Sequence, residues 1–214
     1  MRSFIPRLVL AVWSVSATAC FAQETIDRIA ARVENDVILL SDVRELSRYQ
    51  LFVDGKAQSD AQILDLLIDQ WIVRNEAGIS RIAQPSDEEV ERSIARLKHS
   101  FGSAEEFENR KKQNGLTNED VHRMLKLQLY LSNYLDTRFR PSIQVDDKAI
   151  EDFYQTRVVP RALSRSQTPP TLDAARDFIQ EALVQLAINE QSNKWLKESR
   201  TRLRMEKLLA EGAQ

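Results

Sequence analysis

Residues alternate from Ile26 to Leu40. Ile26, Arg28, Ala30 and Arg32 fall on one face, Asp27, Ile29, Ala31 and Val33 on the other, and Val37-Ile38-Leu39-Leu40 follows. A period of two is that of a strand, and the Asn35-Asp36 step offers turn chemistry, so the stretch predicts a β-hairpin. Beyond it the period becomes helical. Ser41 is placed to cap a helix running to about Phe52. The next helix starts near Ser59 or Asp60. Its residues Ile63, Leu64, Leu66, Leu67, Ile68, Trp71, Ile72 and Val73 make it apolar on most sides, as befits the middle of a core. Asp65 and Asp69 mark its one polar edge, and those acids, with its length, argue against a membrane span.

Ser86 with Glu89, Ser103 with Glu106 and Thr117 with Asp120 have the spacing of capping boxes, predicting helices over 86–100, 103–113 and 117–139. Gly115 closes the second and Pro141 stops the third. The 117–139 helix carries more apolar residues than one stripe needs, among them Val121, Met124, Leu125, Leu127, Tyr130, Leu131 and Tyr134. Such a band fits a helix buried between two neighbours, or one that leaves part of its surface for a partner. Asp146 caps a short helix over about 147–156. Residues 156–171 contain Pro160, Pro169 and Pro170 and no acids, and read as a loop or linker. A long helix follows from Leu172 to about Arg200, with apolar residues at helical spacing. The tail from Arg202 to Leu208 alternates again and admits either a third strand or continued helix.

The N-terminus changes the picture of where the protein works. Arg2 and Arg7, the apolar run Leu8–Val15 and the small-residue stretch 17–22 have the order of a secretory signal peptide. Cleavage after Ala22 removes the only cysteine; cleavage before Cys20 makes it a lipid attachment site, and the soluble product is the favoured expectation. Loss of residues 1–22 leaves 28 basic residues (30 less Arg2 and Arg7) against 32 acidic, so the formal charge moves from -2 to -4. Mixed, mildly acidic charge lacks the basic face of a nucleic-acid binder. No glycine-rich phosphate loop occurs, no Gly-x-Ser-x-Gly motif, and the histidines His99 and His122 stand apart in charged stretches. Acids such as Asp87, Glu88 and Glu89 sit in first helical turns, where they complement the helix dipole. These absences point away from an enzyme, a cofactor or a metal site.

The segment "DRIAARVENDVILLSDVRE" resembles the start of the SurA family of periplasmic chaperones. In that family a hairpin leads into the first helix of a helical core. The resemblance continues in order through "FGSAEEFENRKKQNGLTNEDVHRMLKLQLYLSNYL", "IQVDDKAIEDFYQ" and "NKWLKESRTRLRMEKLL", covering most of residues 26–208. It implies a mainly α, multi-helix, SurA/trigger-factor-like peptide-binding core, with a small N-terminal β-hairpin and a C-terminal third strand that brings the chain ends together. Residues 23–156 would be the chaperone domain, 157–171 the linker, and 172–214 the helix and strand completing the same core. Full members carry parvulin prolyl-isomerase modules where this chain has only residues 157–171, too few for a domain with its own core.

The resemblance implies an ATP-independent periplasmic holdase for unfolded outer-membrane proteins, without isomerase activity. The client contacts expected on this reading are Phe101, Phe107, Tyr130, Tyr134 and Phe139; ordinary core packing is the competing role for each. The other functional class is a periplasmic or lipid-anchored module that binds one folded partner.

Overall fold

A computed structural model describes residues 27–209. The leader read at 1–22, Cys20 and Ile26 lie outside the described residues. The alternating stretch forms β1 (Ile29–Val33) and β2 (Asp36–Leu39), and the tail forms β3 (Met205–Lys207). The sheet is antiparallel with β1 in the centre; Val33 pairs with Asp36 on one side and Met205 on the other.

Two local expectations change in the hairpin. A bulge between Ile29 and Ala31 breaks the alternation, so Ala30 and Ala31 are both fully buried. The bulge leaves the Ala30 carbonyl to accept from the N–H groups of Leu208 (2.8 Å) and Leu209 (3.2 Å). The turn sits at Glu34-Asn35 rather than Asn35-Asp36, and the residue with positive φ is Glu34, at 52°. That conformation is disfavoured for glutamate. It is held from the far end of the chain: Glu34 N–H donates to the Arg204 carbonyl (2.9 Å), and Arg204 N–H donates to the Glu34 carboxylate (2.8 Å). The second bond is also what holds the Glu34 carboxyl below its ordinary pKa.

Helices follow as α1 (Leu40–Asp54), α2 (Asp60–Ile79), α3 (Asp87–Ser100), α4 (Ala104–Gln113) and α5 (Asn118–Phe139). Capping chemistry sets their starts. Ser59 with Gln62, Ser86 with Glu89 and Thr117 with Asp120 bond reciprocally. Ser103 caps α4, but the Glu106 carboxylate accepts from Gly102 N–H (3.1 Å), so that box is only half made. Ser41 is not a cap. α1 begins one residue earlier, and the Asp42 carboxylate accepts from Leu39 N–H (2.8 Å). Gly115 takes φ +63° after α4, a left-handed position that glycine adopts without steric cost.

The loop expected over 156–171 is largely helical. α6 (Asp147–Phe153) runs through a π-helical turn (Tyr154–Val158) into α7 (Val159–Ser164), and only residues 165–171 form the link to α8 (Leu172–Arg200). Pro160 has no N–H to give an α-helical ladder. It stands in the first turn of α7, directly after the π-turn that Val159 N–H closes on the Tyr154 carbonyl, and a first turn tolerates proline.

α2 lies in the middle, burying Ile63, Leu64, Ile68, Trp71, Ile72 and Val73 against the sheet, α1 and α5. α8, 29 residues or about 43 Å long, has two partners. Its first half packs Ala175 and Ile179 against Ile150 of α6; Trp195 and Leu196 of its second half pack against the main core. No helix among the described residues is long and apolar enough to cross a membrane.

The polar edge of α2 is the docking point for the end of α8. Arg200 donates from Nε to Asp69 (2.7 Å) and from its Nη groups to the Asp65 carboxylate (3.2 Å) and carbonyl (2.7 Å), while Lys207 reaches Asp65 (2.6 Å). A second clamp joins α5 to α8, where Arg140 bridges Asp136 (2.7 Å) and Glu181 (2.8 Å). Arg200→Ala should lower unfolding stability by about 2–3 kcal/mol, because several charge-assisted bonds in a half-buried site are lost. Arg92→Ala, at an exposed i,i+4 pair, should stay within about 0.5 kcal/mol; urea titration compares them.

The bonds from Arg140 and Gln185 hold Glu181 at about 2, against an ordinary 4.5. A depressed carboxylate contributes stability above its unfolded pKa and loses it as pH falls through its folded one. The melting-temperature gap between the native chain and Glu181→Gln should be constant above pH 4.5 and close as pH falls to about 2.

Candidate functional site

α1 and α5 both lean on α2, but their facing sides stand apart along part of their length. The gap is a groove of two joined basins, about 310 and 380 Å³ in volume. Leu46, Gln70, Met124 and Leu127 line both basins, so the two adjoin. Val37, Leu67 and Trp71 extend it toward the sheet; Tyr49, Val53, Leu131 and Leu135 extend it along α5. The wide apolar band of α5 explains the lining. Val121 and Leu125 turn into the core, leaving Met124, Leu127 and Leu135 half-buried in the groove wall.

Polar groups share the lining, with Asp42, Glu45, Gln70, Arg74 and Arg123 in the first basin and Gln50, Asp54, Gln70, Gln128 and Ser132 in the second. Arg123 of α5 donates to Glu45 of α1 and to Asp120 (2.8 Å), strapping one mouth. Burial pushes the Tyr49 phenol up to about 12, with the nearby Asp54 charge acting in the same direction, so it stays a neutral hydroxyl at physiological pH. Gln50 lines the second basin, and its Oε1 is buried without a hydrogen-bond partner among the described residues. A buried amide oxygen left unpaired is costly. Gln128 and Ser132 stand on the opposite wall. Apolar side chains interleaved with amides on both walls suit an extended peptide, whose side chains fill the basins while its backbone meets the amides.

The aromatic residues singled out from sequence lie elsewhere, in two separate clusters. Phe101 stacks on Phe52 (5.2 Å between centroids) and meets Phe107 edge-on (5.1 Å), with Arg110 over the Phe101 ring. Tyr134 and Phe139 both pack against Trp195, at 6.1 and 6.0 Å, under the Arg138 guanidinium. Arg138 also donates to the Tyr134 hydroxyl (2.9 Å). Phe107, Tyr130 and Tyr134 are buried, at 1%, 6% and 2% exposure; Phe101 and Phe139 are half-buried. All five rings are engaged in packing between helices, the competing role named for each from the sequence. Met124 and Leu127 were legible as surplus on α5. Leu46 and Gln50 of α1 carried no signal, because the divergence of α1 from α5 is not written in either helix alone.

His122 is half-buried beside Glu91, Lys98 and Glu119 at a second pocket between α3 and α5, and His99 is exposed, so the two do not meet. Compared with known proteins, the chain matches no family model and no curated sequence.

Phe107→Ala should cost about 3–5 kcal/mol in a urea titration, the loss expected for an enclosed phenylalanine. Leu127→Ala, in the open groove wall, should cost under about 1.5 kcal/mol.

Proposed function

We propose that the chain is an ATP-independent periplasmic chaperone, a holdase for unfolded outer-membrane proteins, related to the SurA-like family and reduced to its peptide-binding core. The observation that carries this reading is the groove between α1 and α5, whose two neighbouring basins share apolar lining from Leu46, Met124 and Leu127. The client class and the compartment rest on the ordered family resemblance and on the leader-like N-terminus. Site and mechanism rest on the groove.

Each apolar side chain seated in a basin contributes about 1.5–3 kcal/mol at most. Two or three of them, less the cost of association, leave weak and exchangeable binding. That suits a holdase. An exposed client segment is covered long enough to slow its association with other clients, then released without nucleotide as folding at the membrane withdraws it. The link between α7 and α8, residues 165–171, is too short for an isomerase module. We read the protein as non-enzymatic, and its acceleration of a standard proline-peptide assay should equal that of an inert protein.

The test is light scattering. An unfolded outer-membrane barrel protein is diluted from urea with a stoichiometric amount of the chain lacking residues 1–22, in the absence of ATP. Scattering should fall well below that with an inert protein. The double variant Met124→Glu, Leu127→Glu should keep its circular dichroism and lose most of the effect. Absence of suppression over a wide concentration range sinks the reading. Binding confined to one native partner would identify a dedicated interaction module instead.

A further inference from the structure

A second surface lies away from the groove, where the π-helical turn and α7 cross the first half of α8. Here Arg157, Arg161 and Arg165 line a pocket of about 450 Å³ with Val158, Phe178 and Ala182. Phe178 is 72% exposed, the most exposed of the large hydrophobic residues. The nearby cations Arg140, Lys148 and Arg176 are each paired with carboxylates. By contrast, Arg157, Arg161 and Arg165 take part in no ion pair among the described residues. Their placement is set by the backbone. Four residues apart on a helical path, they stand in a row at intervals of about 6 Å. The π-turn at Tyr154–Val158 carries the first of them, and such turns recur at functional sites.

We propose that this pocket binds an acidic peptide segment in which carboxylates flank one aromatic or large aliphatic side chain. The carboxylates would meet the arginine row, and the apolar side chain would enter beside Phe178. Charge complementarity selects the occupant. Guanidinium groups pair with carboxylates in a bidentate manner, and alternate residues of an extended chain are spaced about 6.8 Å apart on one face, close to the spacing of the row. An anionic bilayer fits less well. The site is a pocket with Arg157, Arg161 and Arg165 in its lining, whereas adsorption to a flat anionic surface is served by cations spread over an open face. This proposal stands independently of the groove.

The experiment is fluorescence anisotropy with labelled synthetic peptides: alternating aspartates around one phenylalanine, the same peptide with asparagines, and the same with the phenylalanine replaced by alanine. The acidic phenylalanine peptide should bind the native chain at least about tenfold more tightly than either control, a difference of about 1.4 kcal/mol. It should weaken with added salt, as exposed charge pairs do. Arg157→Gln with Arg161→Gln and Arg165→Gln should abolish the preference for aspartate. Phe178→Ala should abolish the preference for phenylalanine. The groove variant Met124→Glu, Leu127→Glu should bind as the native chain does, so failure here and failure of the holdase reading remain separate results. Equal binding of all three peptides to the native chain overturns the proposal whatever the variants do. Arginine-dependent binding to phosphatidylglycerol vesicles, without binding to the peptide, overturns it too and makes the patch a membrane contact.

Discussion

The centre strand of the sheet has two edges, and each is paired by a segment from a different end of the chain. β2 covers one edge from the adjoining turn, and β3 covers the other after the polypeptide has run through all its helices. A lone two-stranded hairpin is marginal in water. The N-terminal β-structure therefore depends on α8 ending in the right place. Arg200, held between Asp65 and Asp69, sets that end point, and the Glu34–Arg204 bonds set the register of β3. In turn, the sheet and α8 press on α2 from different sides, and α2 is the support from which α1 and α5 diverge. The groove thus inherits its geometry from an ion cluster and a strand pairing that do not touch it.

The same economy shapes α8. One helix serves two cores, closing the main body with Trp195 and Leu196 and building a smaller cluster with Ile179. A helix so used shows no single apolar stripe; Phe178 and Leu186 are left in solvent while Ala175 and Ile188 are enclosed. The arginine-lined pocket arises where the smaller cluster is too thin to cover the helix.

Much of the fold was legible because its determinants are local. Serine and threonine caps with acids three residues on marked the starts of α3, α4 and α5, and Gly115 marked the end of α4. Apolar residues on most sides of α2 placed it at the centre. What escaped was decided by distant residues. Glu34 takes a glycine-like conformation because Arg204 holds it, and the Ala30 bulge answers to β3, so neither could be read from the hairpin alone. Pro160 reads locally as a breaker, yet it stands in the first turn of α7, where proline is tolerated. The site was the least legible part. Aromatic rings attract notice in a sequence, but the five singled out here fill contacts between helices; of the groove, only the apolar surplus of α5, Met124 and Leu127, was legible, because the gap opposite it depends on how α1 and α5 diverge.

Pairing between β1 and β3 also imposes an order in time. Arg32 and Glu206, bonded across the two strands, are 174 positions apart. At ordinary rates of synthesis that separation corresponds to about 10–35 s, during which the hairpin exists with one edge unpaired. Contacts among α1, α2 and α5 close over shorter loops and can form in that interval, ahead of the sheet. A chain interrupted before Met205 would leave β1 with an open strand edge, the kind of edge that recruits strands from other molecules.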